Sequence, residues 1–100
     1  GVSALQQTSL NQIARTVAEH YEISEKKIYS KSRIMAIAFA RHVAMYLSRE
    51  LTQSSLILIG KHFGNRDHST VIHACKTVET KLLQDKVLKK NISILKTQLQ

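Results

Sequence analysis

The side chains best suited to chemistry cluster between positions 61 and 77. Lys61, His62, Arg66, Asp67, His68, Ser69, Thr70, His73, Cys75, Lys76 and Thr77 all fall there. Three kinds of chemistry are open to such a set. The first is zinc binding through His62, His68, His73 and Cys75, but no CxxC or HxxxH pair occurs. His73 and Cys75, two residues apart, also point to different faces of a helix. The second is nucleophilic catalysis by Cys75, which sits on an apolar stripe where a buried, inert thiol is favoured. No GxxxxGK[ST] phosphate loop is present. No catalytic residue, metal or nucleotide site is therefore expected in this chain, and it is not expected to be an enzyme. The third is hydrogen bonding to base edges, which needs donors and acceptors crowded at the start of an exposed helix.

The elements that would position these groups are helices throughout. The 100 residues contain no proline and only Gly1, Gly60 and Gly64 among glycines. No stretch alternates apolar and polar residues long enough for a strand. Ser9 is placed to cap a helix whose inward face is Leu10, Ile13, Ala14, Val17 and Tyr21. A short helix runs from Ser24 through Ile28, followed by a connector at Tyr29-Ser30-Lys31-Ser32 and a long helix from about Arg33 to Leu51. The long helix is apolar at Ile34, Ile37, Ala38, Ala44, Met45, Leu47 and Leu51, a face wide enough to expect neighbours on several sides. Thr52-Gln53-Ser54 stops it, and Ser54 or Ser55 caps the next. A terminal helix at about 84–99 turns Val87, Leu88, Ile92, Leu95 and Leu99 inward. The expected fold is all-α, one domain over 1–100 with about six helices.

Residues 55–82 are the most informative. Leu56, Ile59 and Phe63 form one face of a short helix, and Gly64-Asn65 supplies a turn suited to positive φ. Asp67 is placed as the N-cap of a further helix with the apolar stripe Val71, Ala74, Cys75, Val78 and Leu82. Opposite the stripe stand His68, Ser69, Ile72, His73, Lys76 and Thr77. This is the layout of a helix-turn-helix, in which the second helix presents its first residues to the major groove. A plain helical hairpin with a solvated polar face fits the same pattern.

Charge favours an anionic partner. Fifteen Lys+Arg against seven Asp+Glu give +8. Residues 1–30 are net zero, 31–81 net +5 and 82–100 net +3. The few aromatics are not interleaved with the bases, which argues against a stacking platform for single strands. The apolar fraction of 43% can fill one core, and the longest apolar run, Leu56 to Ile59, is far short of a membrane span. One cysteine excludes an internal disulfide, and Gly1 to Leu10 lacks a signal-peptide pattern. A cytoplasmic location is expected.

The stretch Ile59-Gly60-Lys61-His62-Phe63-Gly64-Asn65-Arg66-Asp67-His68-Ser69-Thr70-Val71-Ile72-His73-Ala74 closely resembles the signature of the C-terminal DNA-binding domain (domain IV) of bacterial DnaA replication initiators. That signature reads Ile-Gly, an aromatic or Leu, then Gly-x-Arg-Asp-His-Ser/Thr-Thr-Val-Leu/Ile-His-Ala. Arg41 to Thr52 also looks like the family's long helix. The resemblance implies recognition of a short asymmetric duplex element, the DnaA box, by a monomeric domain associated with the nucleoid. It implies that Asp67, His68 and Ser69 meet bases in the major groove and that Arg33 reads an A·T-rich minor groove. Arg41, His42, Arg49, Thr52, Lys61, Arg66, Thr70 and His73 then match phosphate-binding positions. It also implies an upstream ATPase module that binds ATP and self-assembles, lying outside this sequence. Asp67 fits a helix cap as well as a base contact.

Arg41 and Arg49, eight residues apart, are expected to share one face of the long helix and grip one DNA backbone. With about five or six phosphates neutralised, log affinity should fall against log salt with a slope near −5. The chain departs from the family pattern in a sparser basic run at Lys31 to Met35, in Ala40 where proline is common, and in His42 where glutamine is common. Two other readings stay open: a helix-turn-helix regulator of transcription without initiator activity, and a protein- or membrane-interaction module. In the latter the basic terminal helix, with Lys86, Lys89 and Lys90, would touch acidic phospholipid.

Overall fold

The computed structural model describes residues 8–100, so Gly1 to Gln7 lie outside the described residues. Six helices follow one another: α1 (Leu10–His20), α2 (Glu25–Tyr29), α3 (Met35–Leu51), α4 (Leu56–His62), α5 (His68–Leu82) and α6 (Lys86–Leu99). No strand occurs among the described residues. Each start has a physical cause in the residues around it. Ser9 forms a capping box with Gln12: Gln12 N–H donates to Ser9 Oγ at 3.1 Å, and Gln12 Oε1 accepts from Ser9 N–H at 2.9 Å. Ser55 caps α4, Asp67 caps α5 and Asp85 caps α6 through their side-chain oxygens.

Helix α3 is the centre of the fold and packs against α1, α2, α4 and α5, while α6 lies on α1 and α5. Its buried face is wider than the apolar pattern alone implies. Ile37, Ala40, Val43, Ala44, Met45, Tyr46 and Leu47 are buried, and so are the polar Arg41 and Ser48. Around this helix the core is filled by Ile13, Val17, Ile28, Ile59, Phe63, Val71, Val78 and Leu95, each with no exposed surface. Removal of such a side chain from water contributes about 1.5 to 3 kcal/mol.

Four sequence expectations are corrected. Helix α3 begins at Met35 rather than Arg33, because Ile34 is extended and its N–H donates to Ser32 Oγ at 3.3 Å, outside any helical ladder. Ile34 is consequently 63% exposed instead of inward. Helix α6 begins at Lys86 rather than Gln84, since the N–H groups of Leu83, Gln84 and Asp85 fold back onto Thr80 and Lys81 carbonyls and Asp85 caps the new helix. Val87 in its first turn is 70% exposed; Leu88, Ile92 and Leu95 carry the inward face.

Candidate nucleic-acid interface

The first turn of α5 is positioned from within. Asp67 is extended at φ −79°, ψ 169°, and its Oδ1 accepts three hydrogen bonds: from Thr70 N–H at 3.0 Å, Thr70 Oγ1 at 3.0 Å and Ser69 Oγ at 2.7 Å. The Ser69 hydroxyl, followed by the Thr70 donors, holds the carboxyl below its ordinary value. Oδ2 takes none of these bonds. With Val71, Ala74, Cys75 and Val78 buried, the opposite side of the helix presents His68, Ser69, Thr70, Ile72 and His73 to solvent. Cys75 is buried, and burial raises its thiol pKa. Among the described residues, no group of three His, Cys, Asp or Glu could hold a metal.

The turn before α5 depends on two glycines for different reasons. Gly64 has φ 89° and Asn65 φ 58°, the left-handed pair that reverses the chain. Gly60 has ordinary dihedrals but touches backbone: its carbonyl accepts from Arg66 N–H at 2.8 Å, and a Cβ there would overlap the Arg66 carbonyl oxygen. Ile57, Lys61, Asn65, Arg66, Asp67 and His68 border a shallow depression of about 270 Å³ in front of this turn.

Beside the turn lies the 30–34 connector that carries Arg33, whose side chain is exposed. Long-range bonds hold this segment. Arg41 Nε donates to the Ile28 carbonyl at 2.8 Å, Nη1 to Ser32 at 3.2 Å and Nη2 to Lys27 at 3.2 Å. Arg66 Nη2 donates to the Ser30 carbonyl at 2.7 Å and Nη1 to that of Phe63, while Lys31 Nζ reaches the Gly64 carbonyl at 3.2 Å. The Tyr29 ring packs against Phe63 and His62 at centroid distances of 5.8 and 5.3 Å.

These contacts correct the expectation that Arg41 binds phosphate. Its side chain is only 5% exposed, and all three guanidinium nitrogens serve backbone carbonyls. Burial, then the neighbouring Arg66, lowers its pKa from the usual arginine value. Nor do Arg41 and Arg49 line one surface: about 80° apart around the helix, Arg41 is buried and Arg49 is exposed. Arg49 is exposed and pairs with Glu79 at 3.9 Å. Arg66 is half-buried and bonded on both sides, an internal tie more than a surface cation.

The remaining expected phosphate residues divide. Lys61, Thr70 and His73 are exposed on or beside α5. Thr52 is half-buried; its hydroxyl donates to Ser48 O at 2.6 Å and accepts from Ser54 N–H, so it ends α3. His42 is half-buried with its ring edge-to-face against His73 at 6.4 Å. Desolvation first, then His73, Arg41 and Arg66, lowers its pKa and disfavours the charged form. The inward role of Arg41 had a signal in the sequence: positions 37, 41 and 44 fall within about 60° of one another on one helical face.

Residues 10–78 match the family model described as the bacterial dnaA protein helix-turn-helix. The chain is 44% identical over 97 residues to the chromosomal replication initiator protein DnaA of Limosilactobacillus reuteri, covering 97% of this chain and 22% of that protein. It is 45% identical over 89 residues to the protein of the same name from Azoarcus sp., covering 89% and 18%. A solved DNA replication initiation factor superposes with a TM-score of 0.81 at 37% identity, over 90% of this chain and 27% of the other. The chain thus spans about a fifth of the length of these curated relatives.

Proposed function

Because the chain belongs to the bacterial DnaA helix-turn-helix family, we propose that it binds duplex DNA sequence-specifically at DnaA-box-type elements of a replication origin. The observation that carries this reading is the first turn of α5. A capped helix start presents an imidazole, two hydroxyls and an ionised carboxylate to solvent with no core role for His68, Ser69 or His73. In the major groove, Asp67 Oδ2 would accept from a cytosine amino group, His68 would meet a purine acceptor or a thymine methyl, and Ser69 would complete the contact. Arg33, exposed on the connector, would enter the adjacent minor groove, where A·T pairs narrow the groove and concentrate negative potential. Arg49, Lys61, Thr70 and His73 would hold phosphates and so set register and affinity. The domain would act as one monomeric unit per box in the cytoplasm. A whole initiator would add an upstream ATPase and self-assembly, which this domain would place on the origin.

The test is a competition between duplexes at fixed salt. The domain should bind a DnaA-box duplex about a thousandfold more tightly than a scrambled duplex of equal length. Equal affinity for the two would defeat sequence-specific binding. The second reading, a transcriptional regulator with the same fold, differs in its genomic sites: mapped binding confined to promoters and absent from the origin would favour it.

A further inference from the structure

We infer that Arg66 is a positioning residue that sets the separation between the start of α5 and the 30–34 connector, so that both meet a duplex at one fixed spacing. This rests on the two-groove reading above. The connector has no helical or sheet ladder of its own: the Ser32 and Ile34 N–H groups donate to nearby serine hydroxyls, while the Ser30 and Ser32 carbonyls are held from outside. Arg41 fixes the inner side by tying the Ser32 carbonyl to those of Lys27 and Ile28 in α2. Arg66 fixes the side that faces the helix-turn-helix. One planar guanidinium holds the Ser30 carbonyl at 2.7 Å with Nη2 and the Phe63 carbonyl with Nη1, joining segments 36 residues apart.

The surroundings are shaped for that bridge. A Cβ at Gly64 would overlap Arg66 Nη1 and lie 2.6 Å from the Tyr29 carbonyl oxygen, so the glycine makes room for both the guanidinium and the connector. Lys31 closes the same gap in the opposite direction, from connector to turn. A planar fork spanning two carbonyls resists changes in both distance and angle, which a flexible ammonium does not. An arm tied in this way is ordered before DNA arrives, and binding does not have to order it.

The experiment begins with a preferred duplex selected by the wild-type domain from a random-sequence pool. Two further duplexes add or remove one base pair between its A·T-rich end and the remainder, a shift of about 3.4 Å along the axis. Wild type should lose about tenfold in affinity on either shifted duplex, comparable to one mismatched pair. Arg66→Ala should bind the selected duplex about fivefold more weakly, discriminate among the three by about threefold or less, and keep the wild-type salt slope. Arg66→Lys, which keeps the charge without the fork, should lose the spacing preference equally.

Retention of the full spacing preference in Arg66→Ala overturns the proposal, as does a salt slope shallower by about one unit, the mark of a lost phosphate contact. If Arg66→Ala fails to fold, Lys31→Met carries the same test at an exposed position and should at least halve the discrimination; an unchanged preference counts against the bridge. A wild-type domain indifferent to spacing also overturns it. In that case continued preference for the selected duplex over a scrambled one leaves sequence-specific binding standing, and loss of both preferences removes that reading too.

Discussion

The start of α5 and the connector before α3 are both proposed to face DNA, yet they are held in place by opposite means. The start of α5 is organised by its own neighbours: Asp67 Oδ1 gathers donors from Ser69 and Thr70, two and three residues away. The connector has two short serine-hydroxyl bonds of its own, but its carbonyls are held by arginines 9 to 36 residues distant. A local device survives changes elsewhere in the molecule. A distant one transmits them, so perturbing the ties should disturb the connector while leaving the start of α5 intact.

The largest expected effect comes from Gly60→Ala. Its Cβ would meet the Arg66 backbone at a point where neither helix nor turn can give, so we expect about 3 kcal/mol of destabilisation by urea titration. A loss under about 0.5 kcal/mol would show that the turn is softer than drawn. Arg41→Met keeps much of the buried volume but leaves the Ile28 and Ser32 carbonyls unpaired, which should cost about 2 kcal/mol; the Lys27 carbonyl keeps its bonds from Ser30. Amide exchange should then quicken at 30–34 before it does at 68–72. Equal acceleration in both segments would erase the distinction between local and distant ties.

His68→Ala should weaken binding to the selected duplex by about 1.5 kcal/mol and leave scrambled duplex untouched, because the imidazole is exposed on the outer side of α5. A uniform loss on both duplexes would make it a phosphate ligand. Arg49→Ala should have a smaller effect. With Arg41 and Arg66 turned inward, about three or four phosphates remain, giving a salt slope near −3 instead of −5. Removing Arg49 should make that slope shallower by about one unit on every duplex. If Arg49 serves only the exposed pair with Glu79, the slope stays fixed and stability falls by about 0.3 kcal/mol.

The smallest effect is one of pH. Burial lowers the pKa of His42 and His62 from 6.5. The folded chain therefore binds fewer protons than the unfolded chain around and below that pH, and stability, full above it, declines as pH falls. Melting at pH 7.5 and 5.5 should show the drop, and His42→Gln should flatten it. Asp67 does not contribute in this window, because its shift acts only below its ordinary value of 3.8.

Much of this was legible in the sequence wherever the cause was local. Ser9, Ser55 and Asp67 act as caps, and Gly64-Asn65 forms the left-handed turn, because each needs only residues within four positions. The stripe Val71, Ala74, Cys75, Val78 is buried as its spacing required. The errors fall where a cause is distant or competes with helical periodicity. Ile34 continued the apolar pattern of α3, but the Ser32 hydroxyl takes its N–H and the helix begins later. Arg41 matched a family position for phosphate binding, and only the fold brings Lys27, Ile28 and Ser32 carbonyls within its reach. No linear pattern records that Ser30 and Arg66 are neighbours.

The exposed side chains of α5 also bear on how such a domain can change over time. His68 and Ile72 stand clear of the core, and substitutions at such surface positions usually move stability by no more than about 0.5 kcal/mol. Mutations there can alter the preferred site at almost constant fitness of the fold, while Gly60, Gly64 and Arg41 admit few replacements. Diverging copies of this domain would therefore explore new DNA targets along a nearly level path, confined to one side of one helix.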